Sequence, residues 1–125
     1  MKDLIIESTG ETPGVNFNSR TGVLNISGRA YSSGIAVFFK TFEGWLDEYL
    51  KAPQAVTTIE LHLDYSNSIF KKLMMNFIKK CIGSITGDKN LVIKWYYHAG
   101  DEDSIDNGNL TAKIMNFPIQ MIEVE

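Results

Sequence analysis

Asp64-Tyr65-Ser66-Asn67-Ser68 is the stretch of this sequence whose residue types and spacing lend themselves to chemistry. An alternating strand pattern ends there and a helical one begins at once. Asn and Ser are favoured helix N-caps at such a junction, because a side-chain oxygen accepts a hydrogen bond from free N–H groups of the first turn. That is the plain structural account of Asn67 and Ser68. The same geometry suits a phospho-acceptor. A phosphate on Ser68 would bring about −1.5 to −2 charges to the positive end of a helix dipole. Lys71 and Lys72, three and four residues on, lie over the neighbouring turn and can approach it. Capping and phospho-acceptance are compatible, and both stay open at this point.

Other chemistry-bearing residues form weaker patterns. His62 falls on the polar side of its strand and His98 at the end of another, with no third ligand at a recognisable spacing. Surface or hydrogen-bonded histidines are expected. Asp101 to Gly108 resembles a calcium loop, but the places that need an oxygen ligand, a glycine and a glutamate hold Ile105, Asp106 and Ala112. Acidic residues at a helix N-terminus, or a partner surface, account for it better. The single cysteine, Cys81, lies on an apolar helical stripe, which predicts a buried thiol. Nucleophile-elbow, zinc-helix, phosphate-loop and dinucleotide motifs are missing from the sequence. No catalytic residue, metal or cofactor is assigned, and an enzyme is not expected.

The elements that must position the junction follow from periodicity. Leu4-Ile5-Ile6 reads as a short strand, and Val15–Asn18 and Val23–Gly28 as a hairpin closed by Ser19-Arg20-Thr21-Gly22. Ile35, Phe38, Phe39, Phe42, Trp45, Leu46, Tyr49 and Leu50 recur at steps of three and four, a helix that Pro53 stops. From Thr58 to Tyr65 the pattern alternates, with Ile59, Leu61, Leu63 and Tyr65 inward and Glu60, His62 and Asp64 outward. The next helix carries Ile69, Phe70, Leu73, Met74, Phe77, Ile78, Cys81 and Ile82 on its apolar stripe. Lys71, Lys72, Met75, Asn76, Lys79 and Lys80 form its outer face, Gly83 is expected to cap it, and lysines in the last turn would suit the negative end of the helix dipole. Leu91–Tyr97 is a strand, Asp101–Met115 a weak and broken helix, and Phe117–Val124 a last strand.

A polar strand face places the helices together on the other side. The expected fold is therefore a two-layer α/β sandwich, a mixed sheet of about six strands with helices mainly on one face. At 125 residues, 44% hydrophobic and 22% charged, the chain is expected to form one soluble domain over residues 1–125. Twelve basic against fifteen acidic residues argue against nucleic acid or an anionic membrane as partner. The opening apolar run is too short for a secretory signal, and the longest uncharged stretch, Ala30–Phe39, is about half a membrane span. A cytoplasmic location is the expectation.

The order and spacing of several segments resemble the SiaC family of bacterial regulatory phosphoproteins, whose fold is similar to anti-sigma-factor antagonists of the STAS type. The segments are Glu7-Ser8-Thr9 with Thr12-Pro13, Gly22 to Arg29 followed by Tyr31, Phe38-Phe39, Trp45-Leu46 with Tyr49-Leu50, and Tyr65-Ser66-Asn67-Ser68 with Lys71. Trp95-Tyr96-Tyr97, Asp101-Glu102-Asp103, Gly108 and Phe117-Pro118 complete the series. The resemblance implies a non-enzymatic partner switch in cyclic-di-GMP signalling. Its partners would be a serine/threonine kinase of the histidine-kinase-like ATPase type, a PP2C-type phosphatase, and a diguanylate cyclase bound by the unphosphorylated form. The family's acceptor threonine follows an asparagine and maps onto Ser68. Its following serines are Ile69 and Phe70 here, and its Pro-Glu after the tyrosine is Ser32-Ser33. The alternative function is a constitutive protein- or small-ligand-binding module in which Ser68 is only a helix cap.

Overall fold

The computed structural model describes residues 1–31 and 34–124. Ser32-Ser33, one of the departures from the family pattern, lies outside them. The elements in order are β1 (Leu4–Ile6), β2 (Gly14–Asn18), β3 (Val23–Ala30), α1 (Ile35–Leu50), β4 (Val56–Ser66), α2 (Ser68–Ser84), β5 (Asn90–His98), α3 (Glu102–Met115) and β6 (Gln120–Val124).

Asn18 closes the β2–β3 hairpin. Its Oδ1 accepts from Arg20 N–H (2.9 Å) and Thr21 N–H (3.1 Å), and Gly22 N–H donates to its backbone carbonyl (3.0 Å). After this antiparallel start the chain crosses over three times. The strand order is β1-β2-β3-β4-β5-β6, with β3 to β6 parallel. Each crossover steps to the adjacent strand in the same direction, and right-handedness puts every helix on the same face. The mixed two-layer architecture expected from the sequence is what forms.

Register divides the strand residues into two sets. Leu24, Ile59 and Ile93 lie side by side across three strands, as do Ile26, Leu61 and Trp95, and all are buried beneath the helices. Asn25, Glu60 and Lys94 occupy the intervening row on the open face, where Asn25 Nδ2 donates to Glu60 Oε1 (3.2 Å). Phe17 sits at the centre of the core. Its ring lies 5.3 Å from Phe42 and from Trp45 of α1, and 5.9 Å from Phe77 of α2. A surface ion pair between Lys80 and Asp47 also links α1 to α2.

Several local expectations change. The strand expected over Thr58–Tyr65 is longer by two residues at its start and one at its end, whereas β6 begins three residues later than Phe117. Gly83 lies inside α2, which ends at Ser84 with Ile85 as its cap residue, and the last turn holds no basic residue. The segment expected to be a broken helix is one continuous α3. Its N-terminus is secured by Asp101, whose Oδ1 accepts from Ser104 N–H (3.1 Å), with Glu102 and Asp103 in the first turn. Tertiary anchoring overrides its weak propensity. Trp95 Nε1 donates to Ser104 Oγ (3.0 Å), and Gly108 lets the helix press onto the sheet, since a Cβ there would stand 2.7 Å from Met121 Cε.

Candidate phospho-acceptor junction

The junction forms because β4 and α2 are separated by one residue, Asn67. Its backbone is extended (φ −76°, ψ 171°), and its N–H donates to the Ala30 carbonyl at the end of β3 (2.8 Å). Its Oδ1 accepts from Phe70 N–H (2.8 Å) and its carbonyl from Lys71 N–H (3.0 Å). Asn67 is therefore the N-cap, and Ser68 is the first helical residue. The account of Ser68 as a cap is corrected here: the cap position has one occupant, and the Asn67 amide fills it. Ser68 is exposed, and its hydroxyl makes no hydrogen bond within the described residues. We expect Asn67→Ala to cost about 1 kcal/mol of stability, the ordinary loss for a capping side chain, and Asn67→Asp to retain most of it. Urea unfolding midpoints of the two variants check this.

A β-bulge shapes the rest of the site. Gly28 pairs with Leu63, but Arg29 pairs with Tyr65, so Asp64 is an extra residue in β4. One inserted residue turns everything after it to the opposite face of the sheet. Tyr65, expected inward, thus points to the open face and is 54% exposed, its ring edge-on to Tyr31 at 5.7 Å. Ser66 turns inward and is half-buried. Ile69, also expected in the core, is 49% exposed beside Ser68, because Phe70 alone of that pair faces the core. Lys71 and Lys72 are both exposed on the first turns of α2. Of the five residues read from the sequence, Tyr65 thus lies near the end of β4, Asn67 caps α2, and Ser68, Lys71 and Lys72 are exposed on its first turns.

The histidines do not converge on a metal. Among the described residues no group of three His, Cys, Asp or Glu side chains is placed to hold one. His62 stacks on Tyr96 with ring centroids 3.9 Å apart and planes 9° from parallel. Burial lowers its pKa from the ordinary histidine value, against the opposing pull of Glu60 and Asp64. Burial, and then the Glu60 carboxylate, raises the Tyr96 phenol. His98 Nε2 lies 3.5 Å from Asp64 Oδ1. Burial pushes the Cys81 thiol up to about 12, which leaves it a core side chain rather than a nucleophile.

Sequence reasoning missed the trough beside the junction. Leu63, Phe70, Met74 and Trp95 line it between α2 and α3, together with Met75, which was expected on the outer lysine face and is half-buried instead. The signal was faint: Asn107, Leu110 and Ile114 recur at steps of three and four in a segment of low apolar content.

Comparisons with known proteins agree with this architecture. The model of the family described as SiaC family regulatory phosphoprotein matches residues 6–124. An uncharacterised protein of Pseudomonas aeruginosa strain UCBPP-PA14 is 26% identical over 102 residues, covering 82% of this chain and 81% of the relative. The crystal structure of apo-SiaC from P. aeruginosa is similar at 23% identity and a TM-score of 0.85, over 98% of this chain and 99% of that one. SiaC in the crystal structure of the diguanylate cyclase SiaD with its activator SiaC, from the same organism, gives 22% identity and a TM-score of 0.89. That match covers 98% of this chain and 100% of the other. The two solved structures establish the fold.

Proposed function

The chain belongs to the SiaC family of regulatory phosphoproteins, and from that premise we propose that it is a non-enzymatic partner switch whose regulated group is the Ser68 hydroxyl. The observation that carries the reading is the division of labour at the junction. Asn67 does the capping, and the neighbouring Ser68 hydroxyl stays exposed, with no hydrogen bond within the described residues. A kinase can take this hydroxyl without unmaking a structural bond. The helix N-terminus then favours the phosphate, and Lys71 and Lys72 lie one turn away.

Exposed Tyr65 and Ile69 flank Ser68 and give the switch its sign. A partner that covers these two side chains must also strip water from whatever Ser68 carries. A phosphate resists that, so the unphosphorylated form is the binding form. By analogy with the SiaD–SiaC complex, the partner is a diguanylate cyclase. The modifying enzymes in this reading are a serine/threonine kinase of the histidine-kinase-like ATPase type and a PP2C-type phosphatase, acting in the cytoplasm. One shared core supports treating residues 1–125 as a single domain. Among the described residues no helix is long and apolar enough to cross a membrane.

The test pairs mass spectrometry with binding. Protein isolated from its own cells is expected to carry a phosphatase-sensitive phosphate on the peptide containing Ser68. Ser68→Asp is expected to weaken binding of the co-purifying diguanylate cyclase by about tenfold or more, with Ser68→Ala close to wild type. An unmodified Ser68 under all growth conditions, or equal binding by the two variants, would overturn the switch.

A further inference from the structure

We propose that the outer surface of α1 and α2 is a self-association face, on which a second copy of this chain seats with α1 of each copy against α2 of the other. The packing beneath fixes the two helices side by side. Phe39 meets Phe70 at 5.3 Å between ring centroids, and Phe42 meets Phe77 at 6.1 Å. α1 joins the parallel strands β3 and β4, and α2 joins the parallel strands β4 and β5, so both helices run in the same direction. Between them a groove of about 240 Å³ opens outward, with Phe42, Leu46 and Phe77 at its floor and half-buried Leu73 on one wall.

Charge divides along this groove. α1 carries Glu43, Asp47 and Glu48 against Lys40, whereas α2 carries Lys71, Lys72, Lys79 and Lys80 and no acid. The Lys80–Asp47 pair already joins the two rows within one copy. Glu43, Lys72 and Lys79 are exposed and have no ion-pair partner among the described residues. An acidic row beside a parallel basic row is complementary to itself, turned half a revolution about an axis along the groove. That rotation lays each α1 on the other copy's α2 and makes every contact twice, the isologous arrangement of two-fold dimers. A foreign partner would have to carry both rows in swapped order, whereas a second copy presents them by symmetry. Glu43 shares the groove with Asn76 and Lys80, so Lys79 lies on the turn level with it, and these two exposed charges meet across the axis.

Gly44 is an independent observation on the same face. It stands in the middle of α1, exposed, where an added Cβ would meet nothing within 4 Å. Glycine is a poor helix former, and the packing of this chain gives no reason for one here. On a face against which another helix lies, it lets the second backbone come close. Helices of 16 and 17 residues are about 25 Å long, and at a spacing of about 10 Å they offer on the order of 500 Å² per copy. About 1,000 Å² in all is the low end for a specific interface and fits a weak, reversible dimer. This face begins more than one turn beyond Ser68, and the inference does not rest on the switch.

Analytical ultracentrifugation of the full chain tests it. A monomer–dimer equilibrium with a Kd of roughly 1–100 µM is expected at low salt, weakened by about tenfold or more in ~0.5 M sodium chloride, which screens exposed charges. Glu43→Lys and Lys79→Glu are each expected to weaken the dimer by about tenfold or more. An equimolar mixture of the two variants is expected to recover it, because only the mixed dimer sets opposite charges at both symmetry-related contacts. Gly44→Leu is expected to weaken the dimer as much while melting at or above the wild-type temperature, which separates a blocked surface from a damaged fold. A chain that stays monomeric up to about 1 mM overturns the proposal. So does a dimer indifferent to salt and to both reversals, a mixture no tighter than its components, or a Gly44→Leu protein that dimerises like wild type.

Discussion

Phe17→Ala is expected to lower the unfolding free energy by about 3–5 kcal/mol, the cost of emptying a large aromatic site in a core that cannot fully collapse around it. Phe17 is completely buried, and its ring contacts reach both α1 and α2. The cavity would therefore lie under the two helices and not at the edge of the sheet. Aromatic pairs of this kind add about 0.5–1.5 kcal/mol beyond area burial, and three are lost together. A domain of this size holds roughly 6–19 kcal/mol in all, so the loss is a large share of it. Thermal unfolding is expected to drop by about 10–20 °C. Phe17→Leu, which keeps most of the volume, is expected to recover at least half of the loss. A Phe17→Ala protein within about 1 kcal/mol of wild type in urea would show that the ring is not the centre of the core.

Gly22→Ala is expected to cost about 3 kcal/mol by a different mechanism. Gly22 has φ +74°, the left-handed region, where a non-glycine residue pays about 1–3 kcal/mol. Space is a second obstacle. A Cβ there would stand 2.5 Å from the Val56 carbonyl oxygen, with the Tyr49 hydroxyl at 3.1 Å. Backbone cannot swing aside as a side-chain tip can, and the Gly22 carbonyl also accepts from Thr58 N–H (2.8 Å) where β4 begins. The substitution thus strains the turn and pushes the start of β4 away from it. Because the damage is local to one end of the sheet, an equilibrium urea curve should shift its midpoint while keeping its slope. Retention of wild-type stability would mean that the hairpin accommodates a side chain at no cost.

Legibility differed between the fold and the site for physical reasons. The long apolar stripes of α1 and α2 and the alternation through Ile59 and Leu61 are strong periodic signals, and they gave the layers and their order. The bulge at Asp64 has no such signal. It inserts one residue into β4, and the alternation that had been reliable up to Leu63 then misplaces Tyr65. The junction was found from Asn67 and Ser68, but residue types alone leave open which of two good cappers occupies the cap, and the hydrogen bond to Phe70 decides it. α3 looked broken because its own stripe is thin. What holds it is an indole–hydroxyl bond and a glycine contact with side chains on β5 and β6. The groove was illegible for a related reason, since a space between two helices is a property of their separation and not of either sequence segment.

The one-sided coverage of the sheet has a consequence for substitution. Along β4 and β5, residues 59, 61, 93 and 95 answer to the core, whereas residues 60, 62, 94 and 96 answer to the open face and to each other. A change in the first set costs packing energy, while many changes in the second cost little. Every other strand position can therefore drift with the architecture intact, which is how one backbone persists where only about a quarter of residues are shared.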